Sequence, residues 1–300
     1  MASNSVSPLL ASRIPLDYAR LNPSPQLDLG AFDRLPVELQ QRIIADLDVR
    51  TLLDFRRVNI SARCVVDSTL VFLKVVENAP DALRMAIAIR THHTFSIKQL
   101  CQKLCQRTCD NCQRLCQFID MFLLARCCLH IECQQGERLV HQVGLDHSYQ
   151  VPPAKYSSIP HCIGIPGRYG ADMDRAAPRR TGFGAHVQTG VKYYDFATAQ
   201  QYRARDTHDR PGPVRNSDKW RTSGLTGLLI TSVIAPWLEP EGRESEWGTI
   251  CRSCKRTAEE QHLAITCYMP HLPSSLPQLK QLHLVLYTQG GLDQHVAECH

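Results

Sequence analysis

Residues 32–59 of the chain read FDRLPVELQQRIIADLDVRTLLDFRRVN, and this stretch decides the fold of the N-terminal part. Pro36 suits the first turn of a helix, because the N–H group that proline lacks would have no partner there in any case. Apolar residues then recur at helical spacing as far as Leu47. Asp48 is a residue that can cap a second helix. The stretch therefore predicts two short helices that meet at Asp48.

A third apolar helix is predicted over Cys64–Val76, and Asn78-Ala79-Pro80 ends it. Three short helices form a bundle whose core is too small to bury all of its leucines and isoleucines. We therefore expect some of these side chains to form an exposed surface for a partner. The alternative is that they pack against the C-terminal part of the same chain.

The pattern Leu35-Pro36-x-Glu38-Leu39, continued as far as Asn59, resembles an F-box. The resemblance implies a three-helix module that docks on a Skp-type adaptor of a cullin–RING ubiquitin ligase. In that family the Leu-Pro pair and the two helices after it supply the apolar docking surface. The resemblance therefore assigns partner binding to Leu35, Pro36, Leu39, Ile43, Leu52, Leu53 and Val58.

Cysteines form the second informative feature, since eight of the fourteen lie between Cys101 and Cys133. In Cys109-Asp110-Asn111-Cys112 two polar turn formers separate the cysteines, as in a turn that wraps around a metal ion. The spacing from Cys101 to Cys116 also fits one face of a helix with buried thiols. We favour a helix that ends near Cys105, followed by a metal-binding turn at Cys109 and Cys112.

Two metal sites follow from these spacings. Near the C-terminus, Cys251-x2-Cys254 and His295-x3-Cys299 supply a Cys3His set that closes a structural tetrahedron, because helical residues four apart point the same way. At the other site, Cys109 and Cys112 pair with two of the three cysteines Cys127, Cys128 and Cys133. The sequence also allows ligands to be exchanged between the two halves. Structural zinc is the predicted metal, with buried thiols or disulfides as the alternative.

The resemblance extends beyond the F-box to a group of filamentous-fungal F-box proteins. The matching segments are Thr94–Leu100, the Cys109/Cys112 turn, Met121–Cys128, Ile165–Tyr169, Gly248-x2-Cys251-x2-Cys254 and His295-x3-Cys299. In that group a Cys/His domain that is similar to zinc-bound domains follows the F-box. This chain differs from the group at Leu124 and Ile131, where cysteines are common, and Cys133 or His130 can replace the second of these.

Composition limits the class of protein. The chain has 300 residues, 43% hydrophobic and 21% charged, with a formal charge of +5, which fits a soluble protein of about two domains. No signal peptide or membrane segment is recognised, so we expect a cytoplasmic or nuclear protein that is not secreted. An Arg-rich stretch at 168–221 is mixed with aspartates, which favours a solvated loop over a nucleic-acid site. No phosphate-binding loop, metalloprotease helix or nucleophile elbow is present.

These observations predict a mainly α protein with a disordered leader at 1–30, an F-box at 31–78 and a mostly helical, loop-rich Cys/His domain at 79–300. A polar basic loop is expected at about 200–222. The predicted function is that of a non-catalytic substrate receptor in the ubiquitin conjugation pathway, which binds a Skp-type adaptor and an unknown target protein. The alternatives are a zinc-finger-like nucleic-acid-binding protein, an F-box protein that acts outside a ligase, and a thiol-dependent enzyme.

Overall fold

A computed structural model gives the structure of the protein. It describes residues 6–17, 29–128, 133, 137–149, 151–169, 185–187, 190–202, 221–254, 256 and 285–299. Most of the expected basic loop at 200–222 lies outside these ranges, and so do residues 1–5 and 18–28 of the expected leader.

The N-terminal part of the molecule is helical, as the sequence predicts. Its helices are α1 (Val6–Arg13), α2 (Val37–Asp46), α3 (Val49–Arg56), α4 (Ile60–Ser68), α5 (Leu70–Asn78), α6 (Pro80–Ala88) and α7 (Ile97–Cys105), and a 3-10 turn at Gly30–Arg34 lies between α1 and α2. Capping explains where they begin. Asp48 accepts a hydrogen bond from the backbone N–H of Thr51 at 2.9 Å, and Asn59 caps α4 in the same way. Ser96 and Gln99 form a reciprocal capping box on α7.

The third predicted helix is divided in two at Thr69. Thr69 has extended backbone geometry, and its hydroxyl donates to the carbonyl of Val65 at 2.9 Å. Such a side-chain hydrogen bond gives the backbone an alternative to the helical ladder. The division lets α4 and α5 pack against different neighbours.

The structure also differs from the expected disordered leader at residues 6–17. Leu10 on α1 is fully buried in the main core. Arg84 Nε donates to the carbonyl of Ile14 at 3.1 Å, and Arg56 contacts the carboxylate of Asp17 at 2.6 Å. This segment therefore packs on the helices that follow it. Helix α1 contains Pro8 in its first turn, where a proline is tolerated, and it ends before Pro15.

The second part of the chain contains strands as well as helices, so its expected mostly helical character is not confirmed. Its helical segments are α8 (Gln142–Gly144), a π turn at Leu145–Tyr149, a 3-10 turn at Pro153–Ser158, α9 (Phe196–Gln201), α10 (Gly224–Thr231) and α11 (Gln289–Cys299). Its strands are β1 (Phe118–Asp120), β2 (Ala125–Cys127), β3 (Glu137–His141), β4 (His161–Ile163), β5 (Gly167–Tyr169), β6 (Ala185–Val187), β7 (Lys192–Asp195), β8 (Arg221–Ser223), β9 (Ser232–Ile234), β10 (Trp237–Leu238) and β11 (Ser245–Glu246).

The strands form small antiparallel sheets. One sheet has the order β2-β1-β9, a second has the order β4-β7-β3-β8, and β5-β6 and β10-β11 form two-stranded ribbons. In the first sheet Ile119 pairs with Arg126 on one side and with Val233 on the other. The apolar run from Leu225 includes both a helix and a strand, because α10 ends at Thr231 and β9 begins at the next residue.

A single hydrophobic core joins the helical part to the first sheet. The core contains Ile44 from α2, Leu52 from α3, Leu100 from α7, and Ile119 and Val233 from the sheet. Helices α2 and α3 therefore share their core with the rest of the protein. Within the described ranges, none of the helices has the length and apolar character that crossing a bilayer requires.

Candidate metal centres

The first centre is built on a tight turn between α7 and β1. Thr108 and Leu115 form an antiparallel bridge, and the backbone N–H of Cys109 donates to the carbonyl of Arg114 at 2.8 Å. Gln113 then adopts a left-handed backbone with φ of 60°. The turn is closed on itself by these bonds, so Cys109 and Cys112 are held on the same side of it.

Four sulfur atoms converge at this turn. The Sγ atoms of Cys109, Cys112, Cys128 and Cys133 all lie within 4.8 Å of one another. The Sγ atoms of Cys112 and Cys128 are 3.6 Å apart, well beyond the disulfide bond length of about 2.05 Å. The four thiols are therefore unbonded, and the group can hold one metal ion with four sulfur ligands.

Backbone dipoles favour a thiolate in this turn. Burial by itself raises the pKa of Cys109, but the N–H groups of Asn111, Cys112 and Cys128 and the thiol of Cys128 donate toward its sulfur and lower the pKa overall. Burial raises the pKa of the Cys133 thiol to about 11. A bound cation would deprotonate such a thiol directly. The site is thus preorganised at Cys109, and the metal itself would have to ionise Cys133.

Of the three cysteines proposed to complete this site, the structure brings Cys128 and Cys133 to the turn and leaves Cys127 apart. Cys127 lies on β2, and neighbouring residues of a strand point to opposite faces. Burial raises the pKa of the Cys127 thiol. Burial also raises the pKa of Cys116 to about 12 and that of Cys101 to about 11. These three are buried neutral thiols that fill space.

Arg126 fixes the position of the turn. Its guanidinium is fully buried, and it donates to five backbone carbonyls at 2.6 to 3.3 Å, those of Lys103, Leu104, Gln117, Ala235 and Pro236. Its own carbonyl accepts the N–H of Asp110 at 2.9 Å. Arg126 therefore connects the end of α7, strand β1, the residues after β9 and the metal-binding turn. Burial lowers its pKa to about 10.

The second centre lies near the C-terminus and uses Cys251, Cys254 and His295. Their ligand atoms all lie within 4.8 Å of one another, and Cys254 Sγ is 3.2 Å from His295 Nε2. The backbone N–H of Cys254, the Cys254 thiol and the N–H of Ser253 donate toward Cys251 and lower its pKa. The N–H groups two and three residues after the first cysteine thus point at its sulfur in both turns. The two Cys-x2-Cys turns are equivalent in this respect.

Tyr287 orients the histidine of the second centre. Its ring stacks on His295 with centroids 4.6 Å apart, and its hydroxyl lies 3.4 Å from His295 Nδ1. Thr249 and Tyr287 exchange two backbone hydrogen bonds of 2.9 and 2.8 Å. If Nε2 binds a metal, Nδ1 carries the proton and donates to the tyrosine hydroxyl. The fourth predicted ligand, Cys299, is the last residue of α11, and its side chain lies outside the described part of the structure.

Gly248 lies between the two centres. Gln117 Nε2 donates to its carbonyl at 3.1 Å, and Trp237 Nε1 donates to the carbonyl of Cys116 at 2.7 Å. A Cβ atom on Gly248 would lie 2.9 Å from the Trp237 ring. Glycine is therefore required here for close packing, three residues before Cys251.

The residues assigned to partner binding divide into three groups by their exposure. Leu39 and Ile43 on α2 are 46% and 44% exposed, Val58 is 67% exposed, and Pro36 is also exposed. Leu35 and Leu53 are half-buried. Leu52, by contrast, is fully buried in the main core. We therefore assign Leu52 to the packing of the module and not to its surface.

Sequence reasoning missed Gln40, Arg126 and Tyr287. Gln40 is buried, and its side-chain amide donates to the carbonyls of Phe32 and Leu35, which holds the Leu-Pro entry against α2. A polar residue on the buried face of α2 was the available signal for Gln40. Arg126 acts through backbone carbonyls distant in sequence, and Tyr287 is held beside His295 by its backbone bonds to the distant Thr249, so no local pattern marks either residue. Comparisons of the chain with protein-family models, curated proteins and solved structures find no match.

Proposed function

We propose that the protein is a zinc-stapled, non-catalytic F-box receptor that docks on a Skp-type adaptor of a cullin–RING ubiquitin ligase. The observation that carries the docking proposal is the face of α2. Leu39 and Ile43 are one helical turn apart and exposed, whereas Gln40, Ile44 and Ala45 on the opposite face are buried.

Exposed apolar surface is concentrated in this region. Among the described residues, ten large hydrophobic side chains are exposed, and five of them lie between residues 37 and 60. These five are Val37, Leu39, Ile43, Val58 and Ile60. Scattered exposed hydrophobic residues are normal on a protein surface, whereas a concentration of them favours a binding site. This supports an adaptor surface over packing against the chain's own second part.

Zinc is the metal that best fits both centres. With Zn–S bonds of about 2.3 Å, two sulfurs of a tetrahedral site lie about 3.8 Å apart, close to the 3.6 Å between Cys112 and Cys128. Four cysteines leave no open position at the first centre, which is typical of a structural site. Cys299 would complete the second centre from the same helix as His295.

In this function the protein provides proximity. The adaptor would bind at α2 while another surface holds a target, which raises the local concentration of the target near a ubiquitin-charged enzyme. The buried thiols outside the metal centres have raised pKa values and are poor nucleophiles. This supports a receptor over a thiol-dependent enzyme.

A pull-down with a purified Skp-type adaptor tests the docking proposal. Leu39→Asp and Ile43→Asp each remove an apolar side chain worth about 1.5–3 kcal/mol when buried, so we expect each to weaken adaptor binding by at least tenfold. Leu123→Asp is the matched control, because Leu123 is an equally exposed leucine in the β1–β2 turn. It should bind the adaptor as the wild type does.

Three outcomes would contradict the proposal: no adaptor recovered with the wild type, full binding by Leu39→Asp and Ile43→Asp, or equal loss with Leu123→Asp. A reconstituted ubiquitination reaction then separates the two F-box alternatives. Adaptor binding without assembly on the cullin would favour an F-box protein that acts outside a ligase.

A further inference from the structure

A large cleft lies beside the α6–α7 connection, and its lining includes Lys103 and Gln106 near the end of α7. It has a volume of about 1560 Å³, and its walls are the segment 90–95, the β1–β2 turn at 122–124 and the segment 157–163, with Lys192 on β7. Pockets for small ligands measure about 300–1,000 Å³. The cleft is therefore larger than one small molecule needs and suits an extended segment of chain.

The walls of this cleft are held in place by hydrogen bonds. The carbonyl of His92 accepts the N–H of Arg50 at 2.9 Å, and the carbonyl of Ile89 accepts the N–H of Ile163 at 3.0 Å. The hydroxyl of Thr91 donates to the carbonyl of Met121 at 2.7 Å inside the protein. The cleft is thus a preformed feature built from three separate stretches of the chain.

The charge of the lining is positive. Four cationic residues line the cleft against one carboxylate, that of Asp195. Asp195 is engaged as the cap of α9, where it accepts the N–H of Thr198 at 2.7 Å. Of the cations, Lys103 pairs with Asp110 at 3.1 Å, and Arg50 lies 3.9 Å from Asp54.

The other two cations, Arg90 and Lys192, are exposed, and within the described residues neither has a carboxylate within 4.0 Å. They are close in the fold. Lys192 pairs with Ile163 across β4 and β7, and Ile163 bonds to Ile89, the neighbour of Arg90. Near them, His92 Nδ1 is buried with no hydrogen-bond partner in the described part of the chain. Arg90 and Lys192 offer donors to an anion, whereas burial lowers the pKa of His92 and favours its neutral form.

The cleft also has an apolar end and a strained backbone. Leu123 is 54% exposed, and Phe122 beside it is half-buried. Three non-glycine residues in the described ranges have positive φ, and two of them, Arg90 at 63° and Leu124 at 50°, line this cleft. The third, Gln113, belongs to the first metal centre. At Arg90 the left-handed backbone ends helix α6, where the N–H of Thr91 donates to the carbonyl of Ala86 at 2.9 Å.

We propose that this cleft binds an extended acidic peptide, with an anionic side chain at Arg90 and Lys192 and an apolar side chain on Phe122 and Leu123. The peptide would be the target segment of the receptor proposed above, and in that respect the inference rests on the proposed function. A peptide is favoured over nucleic acid because a polyanion needs a track of free cations, whereas only Arg90 and Lys192 are unpaired within the described lining.

Fluorescence anisotropy with the full-length, zinc-loaded protein tests this proposal. The probes are three labelled pools of short peptides that carry leucines together with glutamate, phosphoserine or, as the neutral reference, glutamine. We expect the glutamate pool, the phosphoserine pool or both to bind about tenfold more tightly than the glutamine pool, because hydrogen bonds to charged groups are the stronger ones. The pool that binds better identifies the anion as a carboxylate or a phosphate.

Variants distinguish binding in the cleft from non-specific attraction of an anionic peptide to a positively charged protein. The double variant Arg90→Gln, Lys192→Gln removes two exposed cations and should reduce binding of the anionic pool about tenfold or more. Leu123→Ser should reduce it by a smaller factor. Arg243→Gln is the matched control, since Arg243 is exposed in the β10–β11 connection outside the cleft, and it should bind as the wild type does.

Three results would overturn the proposal. They are equal binding of the anionic and glutamine pools, unchanged binding by the double variant, and tighter binding of a single-stranded oligonucleotide that depends on Arg90 and Lys192. The assay contains no adaptor, so its failure leaves the docking proposal intact. Conversely, a failed adaptor pull-down leaves the peptide measurement valid, and the double variant should still bind the adaptor.

Discussion

Arg126→Met is the most informative single substitution that the structure suggests. The arginine is fully buried, has no buried carboxylate among its hydrogen-bond partners, and donates to five backbone carbonyls. Methionine has a similar apolar length but no donor. The substitution therefore has two opposite effects on the free energy of unfolding. It removes these hydrogen bonds, which lowers stability, and it removes the cost of burying a charge, which raises stability.

The structure allows both effects to be weighed. In the variant the carbonyl of Lys103 would still accept the N–H of Gln106, and the carbonyl of Gln117 would still accept the N–H of Ala235. In the described part of the structure the carbonyls of Leu104, Ala235 and Pro236 would lose their donor, at about 1–3 kcal/mol each. The pKa lowered to about 10 by burial corresponds to roughly 3 kcal/mol for keeping the charge. The lost hydrogen bonds dominate, and the net expectation is a destabilisation of about 3 kcal/mol.

Urea unfolding of the zinc-loaded protein at a fixed free zinc concentration measures this difference. A lower midpoint with an unchanged slope would report lost stability without a change in the unfolded state. Arg114→Met is the control, because Arg114 is exposed in the neighbouring turn, and it should change the stability by less than about 0.5 kcal/mol. A stability of Arg126→Met equal to or above that of the wild type would refute the reasoning, since burial cost would then outweigh the hydrogen bonds.

Three further predictions concern the metal centres and the contact between them. Elemental analysis should find two zinc ions per wild-type chain, and one zinc ion in each of the variants Cys109→Ser and Cys251→Ser. The control Cys64→Ser should keep two, because its sulfur is in neither group. Unchanged zinc content in both ligand variants would contradict the ligand assignment. Tyr287→Phe keeps the stacked ring but loses the hydroxyl at His295 Nδ1. Zinc affinity at the second centre, measured by competition with a chelator, should therefore fall about tenfold. An unaltered affinity would show that the hydroxyl does not orient the histidine. Gly248→Ala places a Cβ atom 2.9 Å from Trp237 and should destabilise the protein by about 1–3 kcal/mol. Gly290→Ala is the control, because a Cβ atom at Gly290 would have no described atom within 4 Å. Equal effects on stability would mean that the contact with Trp237 relaxes without cost.

The sequence predicted those features that depend on neighbouring residues. The Asp48 cap, the end of α7 at Cys105 and the separate turn at Cys109 and Cys112 all follow from local residue types, and the structure contains each of them. The choice among Cys127, Cys128 and Cys133 depends on where β2 lies, because this strand ends at Cys127 and the other two cysteines follow it. Because β2 was not predicted, the sequence had to leave that choice open.

Features that depend on long-range packing were beyond local reasoning. Strands β1, β2 and β9 have three residues each, too few for an alternating pattern to stand out. Their pairing depends on contacts such as Arg126 with the carbonyl of Pro236, which joins residues 110 positions apart. The burial of Leu52 likewise depends on the shared core and not on the pattern of α3, whereas the F-box resemblance assigned this residue to the docking surface by its position in the motif.

The main core and the candidate metal centres use different side chains, which would keep the proposed adaptor binding independent of metal binding. The buried side of α2 packs through Ile44 into the main core, whereas Cys109 and Cys128 belong to a separate cluster. The metal would tie residue 133 to the turn at one centre and α11 to residues 249–254 at the other, segments that contribute no side chain to the main core. Zinc removal should therefore release these segments to proteolysis first and leave α2 able to bind the adaptor. Simultaneous loss of adaptor binding and metal would show instead that the staples support the whole core.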